Sequence, residues 1–286
     1  MIKKRSKLSK KIEIIKYKIL GKKSKRIPFW FEVHIIDSCN LNCSGCDHFS
    51  PLAEKNSEYD LTKYELDLKR IYKLFGEDCK QLHIMGGEPL TNPNINQYLD
   101  ISRKCLPNAS LQLITNATLI KNMPEEFFES CKRNKIEICV STYPINIDYD
   151  ELYKFVKEKG VMIETFNVRT TNNVWKNMGL SKTELLDYKK TFLECKYANN
   201  CCNLRDGVLY FCPHAAYIPI FNKFFSEDYD NSNTGIDIYT HSKIEILDFL
   251  RTPNKFCQYC HINEKRNPRT SWSISKKVKE EWTKNY

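Results

Sequence analysis

From Pro28 onward, short apolar runs alternate with stretches of helical spacing, and this alternation restricts the fold more than any other feature of the chain. The runs Phe31–Ile36, Gln81–Met85, Ser110–Thr115, Ile136–Ser141 and Met162–Val168 have the length and composition of strands. Between them lie the helical patterns Lys63–Phe75, Asn94–Cys105, Glu125–Asn134 and Asp150–Glu158. Such a repeat predicts an α/β fold, a parallel sheet with helices packed outside it in an open or closed barrel. Ligands of barrels bind just past the C-terminal ends of strands. Cys39, Cys43 and Cys46 follow the first strand and Gly86-Gly87-Glu88-Pro89 the second. Thr115-Asn116 ends the third and Ser141-Thr142 the fourth. All four groups are therefore expected on one rim.

Three thiols within eight residues, on a loop leaving a strand, are the candidate catalytic and metal-binding group. Four thiolates close an iron–sulfur cube completely. Three leave one iron open to bind a cofactor or substrate and pass it an electron. The competing reading is structural zinc with His48 as fourth ligand, but CxxxCxxC is an uncommon zinc spacing and leaves the glycine-rich turn without a role.

The pairing of CxxxCxxC after the first strand with Gly-Gly-Glu-Pro after the second resembles the radical S-adenosylmethionine (SAM) superfamily, over roughly residues 30–170. The resemblance implies a partial (β/α)6 barrel in which Cys39, Cys43 and Cys46 hold a [4Fe-4S] cluster whose open iron chelates SAM. Reductive cleavage then gives methionine and a 5′-deoxyadenosyl radical, which takes a hydrogen atom from substrate, with electrons from a flavodoxin- or ferredoxin-type donor. Gly86 and Gly87 would let the backbone approach the methionine end of SAM. Glu88 would accept from its amino group and Pro89 would stiffen the turn. Asn116 and Ser141 are candidates for ribose or carboxylate contacts, with strand-end capping as the alternative. Most family members carry an aromatic residue before the third cysteine, near the adenine. Gly45 stands there in this chain, and Phe49 is the nearest substitute.

After about residue 190 the pattern changes. Val208 to Phe211, behind Arg205-Asp206-Gly207, reads as the second strand of a hairpin. Cys195, Cys212, Cys257 and Cys260 then resemble the ligands of a twitch domain, the shortened SPASM extension that binds one auxiliary [4Fe-4S] cluster. Cys201 or Cys202 in place of Cys195 stays open. Cys79, Cys105, Cys131 and Cys139 are scattered and read as core. The expected organisation is a basic segment 1–27, a barrel 28–190, a cysteine-rich hairpin and helix extension 191–268, and a C-terminal tail 269–286 of helical appearance.

The first 27 residues hold twelve Lys or Arg and one acid, leaving 33 basic and 34 acidic residues in the rest. The body is near neutral, so no basic nucleic-acid groove is indicated and no nucleic-acid partner is expected. Ile12 to Leu20 is interrupted by Glu13, Lys16 and Lys18 and cannot serve as an export signal. Thirteen cysteines without one point to a reducing cytoplasm and to metal or redox use. Residues 1–27 form either an amphipathic helix in peripheral contact with an anionic membrane or a solvated tail.

Twitch-bearing relatives include 2-deoxy-scyllo-inosamine dehydrogenase. By that analogy the expected reaction is an oxidoreductase-type redox modification of a sugar-like or glycan-precursor molecule, with Asp47, His48 and Arg169 as candidates to hold its hydroxyl. Maturation of a ribosomal peptide is the alternative, disfavoured by the short segment before the barrel. A non-catalytic zinc-binding protein is the second.

Overall fold

The structure is a computed structural model that describes residues 21–27, 29–55, 57–168, 174–176, 178–262 and 269–283. The amphipathic run Ile12 to Leu20 and Arg169 lie outside the described residues. Strands and helices alternate as β1 (Phe29–His34), α1 (Leu61–Phe75), β2 (Cys79–Met85), α2 (Ile95–Cys105), β3 (Ser110–Thr115), α3 (Glu125–Arg133), β4 (Ile136–Thr142), α4 (Tyr149–Glu158) and β5 (Met162–Val168). Then come β6 (Val174–Lys176), α5 (Tyr188–Glu194), β7 (Asn203–Arg205), β8 (Val208–Tyr210), α6 (Pro213–Phe225), β9 (Gly235–Asp237), α7 (Lys243–Arg251) and β10 (Arg269–Ser271).

Eight strands form one sheet in the order β5-β4-β3-β2-β1-β7-β8-β9. Strands β1 to β5 are parallel to their neighbours. The sixth parallel strand is β7, beside β1, with Asn203 opposite Glu32 and Leu204 opposite Val33. It comes from the cysteine-rich region, so the sheet runs straight through the change of pattern near residue 190. The expected hairpin is β7–β8, turned by Asp206 (φ 50°) and Gly207 (φ 78°), whose positive φ values a two-residue hairpin turn requires.

Local chemistry sets the elements. Helix α1 starts where the Asp60 side chain accepts from Lys63 N–H, and it buries Tyr64, Leu68, Ile71 and Phe75 along one stripe. A capping box between Ser242 and Glu245 opens α7. On β1, alternate residues Phe29, Phe31 and Val33 are fully buried, and the Phe29 ring stacks on Phe75 of α1 at 4.1 Å. The intervening Glu32 and His34 face the concave side, toward His83 and His48. Cys79, Cys105, Cys131 and Cys139 are buried.

Two segments depart from expectation. Residues 22–27 are strapped to the body, with Lys22 paired to Asp248 at 2.6 Å and the Arg26 guanidinium 3.6 Å over the Trp30 ring. The C-terminal tail is extended rather than helical. After β10, which pairs antiparallel with β6, its only described helical turn is a 3-10 turn at Lys279–Glu281. Ile274 and Val278 hold helical spacing with Trp282 but are 64% and 43% exposed, so no apolar stripe is buried to favour a helix. Trp282 alone is fully buried, near Phe225 (6.1 Å), Phe221 (6.3 Å) and Phe49 (6.3 Å). No helix among the described residues is long and apolar enough to cross a membrane.

Trp282→Ala is expected to lower unfolding stability by about 3–5 kcal/mol, the usual cost of emptying a buried tryptophan site, measured by urea unfolding against the unsubstituted protein.

Candidate active site

Parallel pairing of β1 with β2 places two turns side by side. The amides of Gly87 and Glu88 donate to Ile36 O (2.9 Å) and Ser38 O (3.0 Å). A Cβ on Gly86 would lie 2.2 Å from Ile36 O, and one on Gly87 2.1 Å from Ser38 O. The two glycines are thus required by the backbone that leads into Cys39. Beyond it the loop turns through Asn42 (φ 49°) and Gly45 (φ 65°), both left-handed. A bulky residue at Gly45 would be strained, which explains the missing aromatic.

Cys39, Cys43, Cys46, Gly86, Gly87, Asn116 and Ser141 line one cavity, together with Asp47, His48, Met85, Tyr143 and Phe166. The three thiols therefore converge as the spacing implies. Burial pushes the Cys39 and Cys46 thiols up, so iron binding has to displace their protons. Donors already address the sulphurs: Leu41 N–H lies 3.4 Å from Cys39 Sγ and Trp272 Nε1–H 3.1 Å from Cys43 Sγ. Such donors stabilise ligating thiolates, and three thiols on one cavity fit a cluster with an open iron.

Two expected contacts, those of Glu88 and Phe49, are placed differently. Glu88 is 1% exposed and stands behind the cavity wall, where its carboxylate accepts from Thr115 Oγ1 (2.6 Å), Asn116 N (2.8 Å) and Leu90 N (3.1 Å). It ties the turn to the tip of β3, and burial raises it to about 7 against these hydrogen bonds. Pro89 is buried at the start of the turn Pro89–Thr91. Phe49 packs in the core near Phe221 (5.4 Å) and does not substitute at the adenine, because its own left-handed backbone (φ 55°) directs the chain inward. Tyr143 and Phe166 are the aromatic rings of the cavity.

Asn116 lines the cavity and also caps. Its Oδ1 accepts from Thr118 N–H (3.0 Å), and its Nδ2 donates to Asn40 Oδ1 (2.9 Å). Asn40 in turn donates to Thr118 Oγ1 at 2.8 Å. This network fastens the cysteine loop to β3. Ser141 sits at the register shift of β4 against β5.

Cys195 ends α5, Cys212 opens α6, Cys257 lies within the turn Lys255–Tyr259 and Cys260 ends it, and burial together with the neighbouring cysteines raises the Cys212 and Cys257 thiols. Cys202 is fully buried in the core, and Cys201 lies toward Glu32. Among the described residues, no three His, Cys, Asp or Glu side chains are placed to share a single ion, as zinc with sulphurs about 4 Å apart would need. His214 stands between the two cysteine groups. Its Nε2 is 3.5 Å from Asp47 and its Nδ1 3.7 Å from Cys260 Sγ. Burial opposes its protonation, but Asp47 and Cys260 outweigh that and raise it to about 10.

The concave face carries a buried polar group that motif reading did not find. His34 bonds Asp37 (3.0 Å), Asp37 pairs with Arg205 (2.8 Å), and Tyr217 stacks on His34 at 4.0 Å. His34 and Arg205 hold Asp37 below the usual carboxylate range despite its burial. Its signal in the sequence is the polar alternation of Glu32 and His34 on β1 and Gln81 and His83 on β2.

A family model for the radical SAM superfamily matches residues 33–201, more than half of the chain. The chain belongs to the radical SAM superfamily. That membership implies a [4Fe-4S] cluster and SAM, and Cys39, Cys43 and Cys46 are the residues placed to hold the cluster. Among curated proteins, this radical SAM chain is 25% identical over 114 residues to a GTP 3′,8-cyclase of Sulfurimonas denitrificans, covering 40% of the chain and 35% of that protein. It is 24% identical over 101 residues to the GTP 3′,8-cyclase of Campylobacter lari, covering 35% and 31%. The matches thus span about a third of those relatives. Similar solved structures include BtrN in complex with AdoMet and 2-DOIA, at 15% identity and TM-score 0.49, covering 84% of this chain and 96% of that one. SuiB of Streptococcus suis bound to S-adenosylmethionine is 12% identical with TM-score 0.39, covering 89% and 74%.

The native carboxyl of Glu88 holds its proton to about 7, whereas the unfolded chain releases it near 4.5. Between those values the native state binds more protons, so this group's contribution to stability falls as pH rises, by about 3 kcal/mol in all. Glu88→Gln is expected to flatten that segment of a stability–pH profile measured by urea unfolding.

Proposed function

We propose that this enzyme oxidises a carbinol of a small, hydroxyl-rich, sugar-like molecule, using an auxiliary [4Fe-4S] cluster on Cys195, Cys212, Cys257 and Cys260 as the sink for one electron. The observation that carries the reading is a buried polar group packed behind the cavity wall at His48. His34 Nε2, His48 Nε2 and the Tyr217 hydroxyl are buried there without hydrogen-bond partners, and their rings lie within 4.0–5.4 Å of one another. Unpaired buried polar groups are costly, and a polyhydroxylated ligand supplies the donors and acceptors they lack. Phosphate-rich substrates would call for a basic face with free cations, whereas here Arg205 is paired with Asp37 and His214 with Asp47.

When bound, the cluster and SAM supply the 5′-deoxyadenosyl radical. That radical would take the carbinol hydrogen atom to give 5′-deoxyadenosine, Asp47 in the cavity wall would accept the hydroxyl proton, and an auxiliary cluster held by Cys195, Cys212, Cys257 and Cys260 would take the remaining electron, leaving a ketone. Asp47 and His48, both in the cavity wall, hold the hydroxyl. His214, touching Asp47 on one side and Cys260 on the other, keeps the substrate end and the electron sink in one packed unit. A flavodoxin- or ferredoxin-type protein supplies the initiating electron.

The test is incubation of the reconstituted, reduced enzyme and SAM with aminocyclitols and polyols deuterated at their carbinol carbons. Deuterium is expected in 5′-deoxyadenosine, with none from Cys43→Ala. Nucleoside that takes up deuterium from a labelled peptide and from no polyol contradicts the reading.

A further inference from the structure

The extended C-terminal segment crosses the loop that carries the cluster cysteines. Residues 273–275 run antiparallel to residues 42–44: Ser44 N–H donates to Ser273 O at 2.9 Å, Ser275 N–H donates to Asn42 O at 2.7 Å, and Cys43 bridges to Ile274 between them. At one end of this crossing Trp272 donates its Nε1–H to Cys43 Sγ at 3.1 Å, with its ring 6.2 Å from Tyr143. At the other, the fully buried Trp282 donates Nε1–H to Cys46 O at 3.0 Å and receives Leu180 N–H on its carbonyl at 2.9 Å. Two indoles ten residues apart therefore address two of the three cysteines.

The two contacts differ in kind. Trp282 grips backbone and fixes the path of the loop. Trp272 touches a ligating atom. An indole N–H only donates, so it favours whichever state puts more negative charge on the sulphur. Iron–sulfur clusters gain negative charge on reduction, and hydrogen bonds to their sulphurs are among the factors that set the potential.

We propose that Trp272 is a positioning residue of the catalytic cluster, whose Nε1–H bond to the ligating sulphur of Cys43 raises the reduction potential and brings it within reach of the electron donor. The proposal concerns the SAM-binding cluster alone and holds whichever substrate the enzyme takes.

The experiment is an EPR-monitored redox titration of the full-length, reconstituted protein, following the signal that changes on addition of SAM, in the unsubstituted chain and in Trp272→Phe. Phe keeps an aromatic ring and removes the donor. The expected result is an unchanged iron content and a midpoint shifted to more negative potential; an identical midpoint overturns the proposal. A second measurement decides the matter even where the variant takes up no iron. The reduced, unsubstituted protein, labelled with 15N at its indole nitrogens, is expected to show a 15N hyperfine coupling to the cluster spin, and its absence overturns the proposal.

Discussion

Everything at the rim depends on one close approach of two backbones. Gly86 and Gly87 run so near to Ile36–Ser38 that no side chain fits between them, and the amides of Gly87 and Glu88 bond across the gap. Because β1 and β2 are parallel neighbours, the loop after each strand emerges on the same edge. The contact then fixes the first of the three cysteines relative to the second turn. Glu88 extends the linkage to β3 through Thr115 and Asn116, and Asn116 returns it to the cysteine loop through Asn40. The glycines, the glutamate and the two asparagines thus make a closed circuit beside the cavity that holds the Cys39 end of the loop against β2 and β3.

The five parallel strands and four helices were legible in the sequence to within about two residues at their ends, because each carries its own apolar spacing and most carry a local stop such as Gly76 after α1. The loop of Cys39, Cys43 and Cys46 was legible as well, since three thiols on one short loop are a local pattern, and all three line one cavity. What escaped depends on distant partners. The tail is extended because it pairs with a loop some 230 positions away. Phe49 is drawn into the core by Phe221. The sixth parallel strand of the sheet joins β1 across more than 160 residues.

The polar concave face illustrates the same limit from the functional side. Alternation along β1 marks Glu32 and His34 as facing away from the helices, but their neighbours Asp37, Arg205 and Tyr217 come from a loop, the β7–β8 hairpin and α6. Only the fold assembles them. Burial keeps His34 below its ordinary range and leaves its Nε2 without a partner, a state costly in a core and useful in a site that takes a hydrogen-bonding ligand.

Cys39, Cys43 and Cys46 are the residues placed to hold the cluster whose open iron takes SAM. EPR of the reconstituted, reduced protein with and without SAM tests this assignment. A cluster signal that changes on addition of SAM and is lost in Cys43→Ala is the expected result. Stoichiometric zinc in place of iron, with no binding of SAM, would contradict it.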